Sequence, residues 1–172
     1  MARSNVKIHI LPRFVAVQRL TAAPMPALLI AETQLSQEHK ALLRLAKQNA
    51  TEWLVLEFDD VNFPFKKSRL ATEDDIRRGL DFATGKSEMV VSCHAGVSRS
   101  SAMAYAILRS RGVSAQEAAS NLNIDVHHPN ALVLPLAGKI IGKPLVDEVV
   151  THLNYPAERE MRDRESIAWA IM

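Results

Sequence analysis

The sequence predicts an α/β fold, a three-layer sandwich in which a central, largely parallel sheet is flanked by helices. Short runs rich in Val, Ile and Leu alternate with segments whose apolar residues recur at helical spacing, and this alternation is typical of parallel sheets with helical crossovers. The chain has 172 residues, of which 48% are hydrophobic and 23% are charged. This size and composition are those of one globular domain, so we expect a single domain over residues 1–172.

The first third of the chain contains predicted strands and one predicted helix. Three short segments, rich in Val, Ile and Leu and separated by prolines, favour strands or extended edge pieces: residues 6–11, 14–20 and 27–31. Ser36 is a favourable N-cap for a helix over 36–50, where apolar residues follow at helical spacing. A further buried strand is predicted over 53–58, and Asp59 and Asp60 follow it directly.

The middle of the chain predicts a second alternation of helix and strand. After a loop over 61–70, Thr72 and Asp75 have the spacing of a capping box, which begins a helix. Gly85 can end this helix. Residues 88–92 are an apolar run typical of a buried strand. Residues 99–111 are apolar on nearly every side, which is typical of a central, buried helix.

The last third of the chain predicts shorter helices. Ser114 and Glu117 stand at capping-box spacing ahead of a helix that reaches residue 122. Residues 131–142 have a helical pattern, but Pro135 removes a hydrogen-bond donor, so this helix should kink or begin late. The charged tail over 157–171 places acidic residues four positions before arginines, an order that favours a helix.

Charge and cysteine content exclude several classes of partner. The formal net charge is only +2, which is too small to predict a nucleic-acid partner. No apolar run is long enough to span a membrane, and the N-terminus lacks a signal-peptide core, so we expect no membrane partner and a cytoplasmic protein. Cys93 is the single cysteine, which fits a reducing compartment. Nothing in the sequence specifies an oligomeric state.

One stretch, residues 89–101, places a thiol at the base of a candidate anion site. An apolar run leads into Cys93, and Arg99 then opens the apolar helix. A loop between a buried strand and a helix presents backbone N–H groups that bind anions, and Gly96 permits the tight turn that such a loop needs. A helix N-terminus and a neighbouring cation stabilise a thiolate, and the planar guanidinium of arginine can bind two phosphate oxygens at once.

The pattern Cys93-x5-Arg99-Ser100 resembles the signature loop of the cysteine-based phosphatases, the superfamily of tyrosine and dual-specificity phosphatases. Over residues 53–142 the order of predicted elements is similar to that of the small stand-alone dual-specificity phosphatases. The chain departs from the family pattern at Ser92, where the family usually has histidine. The resemblance implies a phosphotyrosine phosphatase-like sandwich and the hydrolysis of phosphate monoesters through a phosphocysteine.

The resemblance also assigns roles within the signature loop. Cys93 is the nucleophile, Arg99 binds the phosphoryl oxygens, and Ser100 donates a hydrogen bond to the sulfur in the second step. The oxygens are also bound by the backbone N–H groups of the loop, which belong to His94, Ala95, Gly96, Val97, Ser98 and Arg99. No cofactor and no metal is needed, because these fixed donors stabilise the charge that a metal ion stabilises elsewhere.

A general acid is expected directly after the strand over 53–58. We expect this strand beside the strand that leads into the signature loop, and because successive side chains of an extended segment point to opposite sides, one of Asp59 and Asp60 should face the pocket. Matching strands with the family selects Asp60, with Asp59 as the alternative. The resemblance adds Asn130, from the Pro129-Asn130 pair, as a supporting residue, and Ser92 is expected to support the loop as well.

The leading hypothesis is a protein tyrosine or dual-specificity phosphatase whose substrate is a phosphorylated protein or a small phosphoester. The loop interior carries no lysine, which weakly disfavours inositol phosphates. Ser92 motivates the alternative of a catalytically weak, phosphate-binding module. Another thiol enzyme, such as a sulfurtransferase or an arsenate reductase, is disfavoured by the spacing of the loop and by the single cysteine. His127 and His128 are adjacent, which favours a structural role over a metal site.

Overall fold

A four-stranded, fully parallel sheet forms the centre of the protein. The computed structural model describes residues 6–153. Its strands are β1 (Lys7–Pro12), β2 (Ala27–Ala31), β3 (Trp53–Glu57) and β4 (Glu88–Cys93). They are arranged in the order β1-β4-β2-β3, so the strand that ends in Cys93 is an inner strand of the sheet.

Seven helices are described, and they cover both faces of the sheet. They are α1 (Arg13–Ala22), α2 (Gln37–Asn49), α3 (Glu73–Ala83), α4 (Arg99–Ser110), α5 (Ala115–Ser120), α6 (Val133–Ile141) and α7 (Leu145–Leu153). Within this part of the chain, no helix has the length and the hydrophobicity required to cross a membrane.

Two apolar cores of unequal size define the layers. Along β4, Met89 and Val91 face the larger core, which α3 to α7 cover, whereas Val90 faces the smaller core under α1 and α2. This alternation follows from the pleat of a strand, which points successive side chains to opposite faces. In α4, every residue from Arg99 to Leu108 is buried. The prediction of a three-layer α/β sandwich with a parallel sheet is therefore confirmed.

One predicted element is wrong. Residues 14–20 were expected to be extended, but they belong to helix α1. Ala16 and Leu20 are fully buried four positions apart, while Phe14 is 60% exposed, which is the burial pattern of a helix. Val17 also packs against the smaller core. The run resembled a strand because the exposed Phe14 and Val15 are apolar too, so the apolar residues do not mark one helical face.

The sheet order corrects a second expectation. The strand before Asp59 and Asp60 was expected to lie beside β4, but β2 lies between β3 and β4. Because the carboxyl ends of parallel strands lie at the same end of the sheet, the residues that follow β2 lie close to residues 94–98, which follow β4.

Several local predictions agree with the structure. Ser36 caps α2, and Thr72 and Asp75 form both halves of the capping box at α3. Helix α6 begins late, at Val133, so Pro135 lies in its first turn, where a backbone N–H has no partner within the helix. The predicted helix over 157–171 lies outside the described residues.

Candidate active site

The signature loop, residues 94–98, is held in a tight turn against the end of β1. Gly96 has a positive φ of 67°, and a Cβ atom at this position would lie 2.6 Å from the carbonyl carbon of Leu11. Glycine is therefore required both for the backbone conformation and for the close approach. The Arg13 N–H donates to the carbonyl of His94 at 3.2 Å and fixes the start of the loop.

Cys93 lies at the base of this loop, as the sequence predicts. The residue is only 2% exposed, and its Sγ lies 3.1 Å from Oγ of Ser100 in the first turn of α4. A hydroxyl at this distance can donate to a thiolate and stabilise its charge. The sulfur, the hydroxyl and the start of α4 are thus brought together.

The Arg99 guanidinium is held by residues that follow β2 and β3. Its side chain is 4% exposed, Nη1 donates to the carbonyl of Phe58 at 2.9 Å, and Nη2 lies 3.6 Å from Oε2 of Glu32. Nε is buried and has no hydrogen-bond partner among the described residues. A buried donor without a partner costs free energy, and an oxyanion in the loop would supply the missing acceptor.

The two aspartates after β3 occupy different environments. Oδ1 of Asp60 accepts hydrogen bonds from Oγ of Ser98 at 2.7 Å and from Nδ2 of Asn130 at 3.0 Å. Asp60 thereby lies in the same cavity as Cys93. The structure thus brings Asp60, rather than Asp59, to the thiol.

Asp59 is bound elsewhere. Its carboxylate accepts hydrogen bonds from the N–H and Oγ1 of Thr33 and from the N–H of Arg69, at 3.0, 2.8 and 2.7 Å. Burial raises the pKa of Asp59, but these hydrogen bonds outweigh burial and lower the pKa overall. The Asp59 carboxylate therefore joins two loops.

Asn130 connects the acid to the helix behind it. Its Oδ1 accepts from the N–H groups of Leu132 and Val133, both at 3.0 Å. Its own N–H donates to the carbonyl of Ser98 at 3.1 Å. Asn130 thus caps α6, supports the signature loop and holds Asp60 at the same time. Ser92 is buried in β4, where its hydroxyl donates to the Cys93 carbonyl at 3.4 Å.

Sequence reasoning missed the opposite wall of the pocket, which Glu32 forms. Arg13, only 2% exposed, donates to both carboxylate oxygens of Glu32 at 3.2 and 3.0 Å and also to the Ile30 carbonyl. Nδ1 of His94 lies 3.1 Å from Oε1 of Glu32. Burial raises the pKa of Glu32, but the Arg13 hydrogen bonds and charge outweigh it and lower the pKa to about 2.

His39, near the start of α2, completes this wall. Its ring centroid lies 4.1 Å from that of His94, and Nδ1 accepts from Nη1 of Arg13 at 3.0 Å. Burial, the His94 ring and the Arg13 charge lower the pKa of His39. Ligand atoms of Glu32, His39 and His94 lie within 4.8 Å of one another, a separation that a metal ion could bridge. Arg13 already donates to both carboxylate oxygens of Glu32 and to Nδ1 of His39, so we interpret the group as an ion-pair cluster.

The wall formed by Glu32 and the wall formed by Cys93, Arg99 and Ser100 border a cavity of about 440 Å³. It is lined by Glu32, Gln34, Asp60, Cys93, His94, Ala95, Ser98 and Arg99. A thiol side chain, a buried guanidinium and a carboxyl group therefore line one space, an arrangement that could support the transfer of a phosphoryl group.

Comparison with known proteins gives similarity at the level of structure. No protein-family model matches the chain, and no curated protein matches it in sequence. Two solved structures of PTPMT1, a dual-specificity-type cysteine phosphatase, share its fold. The structure of PTPMT1 in complex with PI(5)P has a TM-score of 0.53 and 19% identity, over 82% of this chain and 94% of that chain. A second PTPMT1 structure has a TM-score of 0.53 and 18% identity, over 89% and 98%.

Proposed function

We propose that this chain, which has the fold of the cysteine-based phosphatase superfamily, is a phosphate-monoester hydrolase with Cys93 as its nucleophile. One observation carries the proposal: Cys93, Asp60 and the buried Arg99 line the same cavity, and Nε of Arg99 has no hydrogen-bond partner among residues 6–153. A phosphate dianion in the signature loop would satisfy Arg99 and present its phosphorus to the sulfur.

The first step transfers the phosphoryl group to the enzyme. The Cys93 thiolate attacks phosphorus, the bond from phosphorus to the ester oxygen breaks, and that oxygen takes a proton from Asp60. Both hydrogen bonds to Asp60 go to Oδ1, so Oδ2 is the oxygen that can carry the proton. The products are a phosphocysteine and a free alcohol or phenol.

The second step regenerates the enzyme. Water attacks the phosphocysteine, Asp60 accepts its proton, and the bond from sulfur to phosphorus breaks with release of inorganic phosphate. The electron pair of that bond returns to sulfur as a thiolate. The Ser100 hydroxyl, 3.1 Å from Sγ, stabilises this negative charge and makes the sulfur a better leaving group.

Two substrate classes have specific support. The resemblance of the signature loop favours a phosphorylated protein, with phosphotyrosine or with dual specificity. The complex of PTPMT1 with PI(5)P supports a phosphorylated lipid headgroup as the second candidate. Both are phosphate monoesters, so the chemistry of Cys93 is the same for each.

The test compares the wild type with Cys93→Ser on p-nitrophenyl phosphate and on a phosphotyrosine peptide. The wild type should release phosphate, and the variant should bind the peptide without releasing phosphate. A folded Cys93→Ser variant with normal turnover would contradict the proposal. A wild type that binds the peptide and releases no phosphate would instead support the phosphate-binding module.

A further inference from the structure

Exposed apolar side chains lie on three segments that adjoin the catalytic site. Phe63 and Phe65 are each 49% exposed on the loop after β3, and their rings contact each other edge to face. Phe14 in the first turn of α1 and Val126 on the loop before α6 are also exposed. We call Phe14, Phe63, Phe65 and Val126 the rim residues. A large apolar side chain in water is unfavourable, and several around one opening indicate an interaction surface.

The sheet order places the rim residues on different sides of the opening. Phe14 follows β1 and Phe63 follows β3, which are the two outer strands, whereas the signature loop follows the inner strand β4. Val126 belongs to a third segment, which contacts the signature loop through the hydrogen bond from the His128 N–H to the Val97 carbonyl at 2.9 Å. Apolar side chains therefore flank the opening on three sides.

Two lysines accompany the aromatic pair. Lys66 and Lys67 line a second cavity that shares Gln34 with the catalytic cavity. Within residues 6–153, neither lysine forms an ion pair with a carboxylate, and the Lys66 ammonium lies 5.0 Å from the centre of the Phe65 ring. Asp59 lines the same cavity, but its oxygens are already bonded to Thr33 and to the Arg69 N–H.

We propose that the rim residues, with Lys66 and Lys67, dock the protein onto the surface of an anionic lipid bilayer. Apolar groups on three sides of an opening can all be covered at once by a broad apolar phase, whereas an extended peptide would cover one or two sides. Aromatic side chains enter the interfacial layer, and neighbouring lysines are attracted to anionic headgroups. Docked in this way, the cavity opens toward the bilayer.

The orientation has a consequence that rests on the proposed function. With the rim residues in contact with the lipid, the cavity would face the bilayer surface. A phosphate monoester that projects from the bilayer could then enter the cavity directly. The enzyme would then act on membrane-borne phosphate monoesters faster than on the same group in solution. Docking itself needs no turnover, so the two proposals can fail separately.

The experiment measures co-sedimentation of the full chain with vesicles of phosphatidylcholine mixed with phosphatidylserine. The wild type should bind these vesicles, and added salt should weaken the binding because Lys66 and Lys67 contribute charge. The double variant Phe63→Ser/Phe65→Ser should bind the vesicles at least about tenfold more weakly than the wild type, because it lacks the two half-exposed aromatic rings that contact the lipid. Hydrolysis of soluble p-nitrophenyl phosphate by this variant should match the wild type, which also shows that it is folded.

Trp53→Ser is the matched control. Trp53 is 46% exposed, close to the 49% of Phe63 and Phe65. It lies at the start of β3, at the amino ends of the strands, whereas the cavity lies at their carboxyl ends. Its loss should leave vesicle binding unchanged. Failure of the wild type to bind, or equal losses in Trp53→Ser and in the double variant, would overturn the proposal. So would a double variant that binds vesicles normally but hydrolyses a phosphotyrosine peptide poorly, because the rim would then be a peptide site.

Discussion

The two walls of the cavity are built in different ways. The signature wall, formed by Cys93, Arg99 and Ser100, comes from eight consecutive residues at the junction of β4 and α4. The opposite wall, formed by Glu32, Arg13 and His39, comes from three separate segments after β1 and β2 and at the start of α2. A wall made of one continuous segment is visible in the sequence, whereas a wall assembled from distant segments is not.

The walls also differ in their electrostatics. The signature wall offers N–H donors and a guanidinium whose Nε has no hydrogen-bond partner in the described part of the chain, so it retains a donor for an anion. In the opposite wall, Glu32 already forms an ion pair with Arg13 and a hydrogen bond with the His94 ring. We therefore expect changes in the signature wall to reduce catalysis, and changes in the opposite wall to reduce stability more than catalysis.

Arg99→Lys, a change in the signature wall, should have the largest effect on catalysis. The compact ammonium of lysine lacks the planar fork that can bind two phosphoryl oxygens while Nη1 bonds the Phe58 carbonyl, so kcat/KM should fall by about 10³-fold. The measurement is steady-state hydrolysis of p-nitrophenyl phosphate, with the thermal midpoint measured in parallel. Arg77→Lys, at an exposed position of α3, is the control and should behave as the wild type. Full activity of Arg99→Lys would exclude Arg99 from phosphate binding.

Asp60→Asn should have the next largest effect, and the effect should depend on the leaving group. Without a proton donor, kcat for a phosphotyrosine peptide should fall by about 10²-fold, whereas p-nitrophenolate, a good leaving group, should be affected much less. Asp59→Asn is the matched control: it should lower stability, because it weakens the bonds to Thr33 and Arg69, and should affect both substrates alike. If Asp59→Asn shows the leaving-group dependence instead, the acid is Asp59.

Glu32→Gln tests the opposite wall. Removing one charge leaves Arg13 buried without its counter-ion, so the free energy of unfolding should fall by about 3 kcal/mol at neutral pH. Because the pKa of Glu32 in the folded protein is about 2, below its value in an unfolded chain, its contribution is present above about pH 4.5 and is lost as the pH falls toward 2. The stability of the wild type should therefore decline more steeply over that range than the stability of the variant.

Chemical denaturation at several pH values measures this difference. Glu38→Gln, an exposed position in the first turn of α2, serves as the control and should retain the acid dependence of the wild type. Parallel pH profiles for the wild type and Glu32→Gln would show that Glu32 does not stabilise the fold. A loss of kcat in Glu32→Gln as large as that in Arg99→Lys would remove the distinction between the two walls.

Local patterns predicted the elements that carry their own signals. The caps at Ser36 and Thr72, the buried helix that begins at Arg99 and the late start forced by Pro135 are each set by residues a few positions apart. Residues 14–20 were assigned wrongly because apolar residues also occupy exposed positions of this helix, Phe14 and Val15, and so conceal its periodic pattern. The position of Glu32 depends on β2 lying beside β4, which is a property of the whole sheet.

The most direct test of the central claim is to trap the intermediate. The wild type, mixed with a phosphotyrosine peptide and quenched within one turnover, should carry one added phosphate group on Cys93 when its peptides are examined by mass spectrometry. Asp60→Asn, with slower hydrolysis of the intermediate, should accumulate more of it on p-nitrophenyl phosphate. Phosphate release at the normal rate with Cys93 unmodified at every quench time would contradict the account.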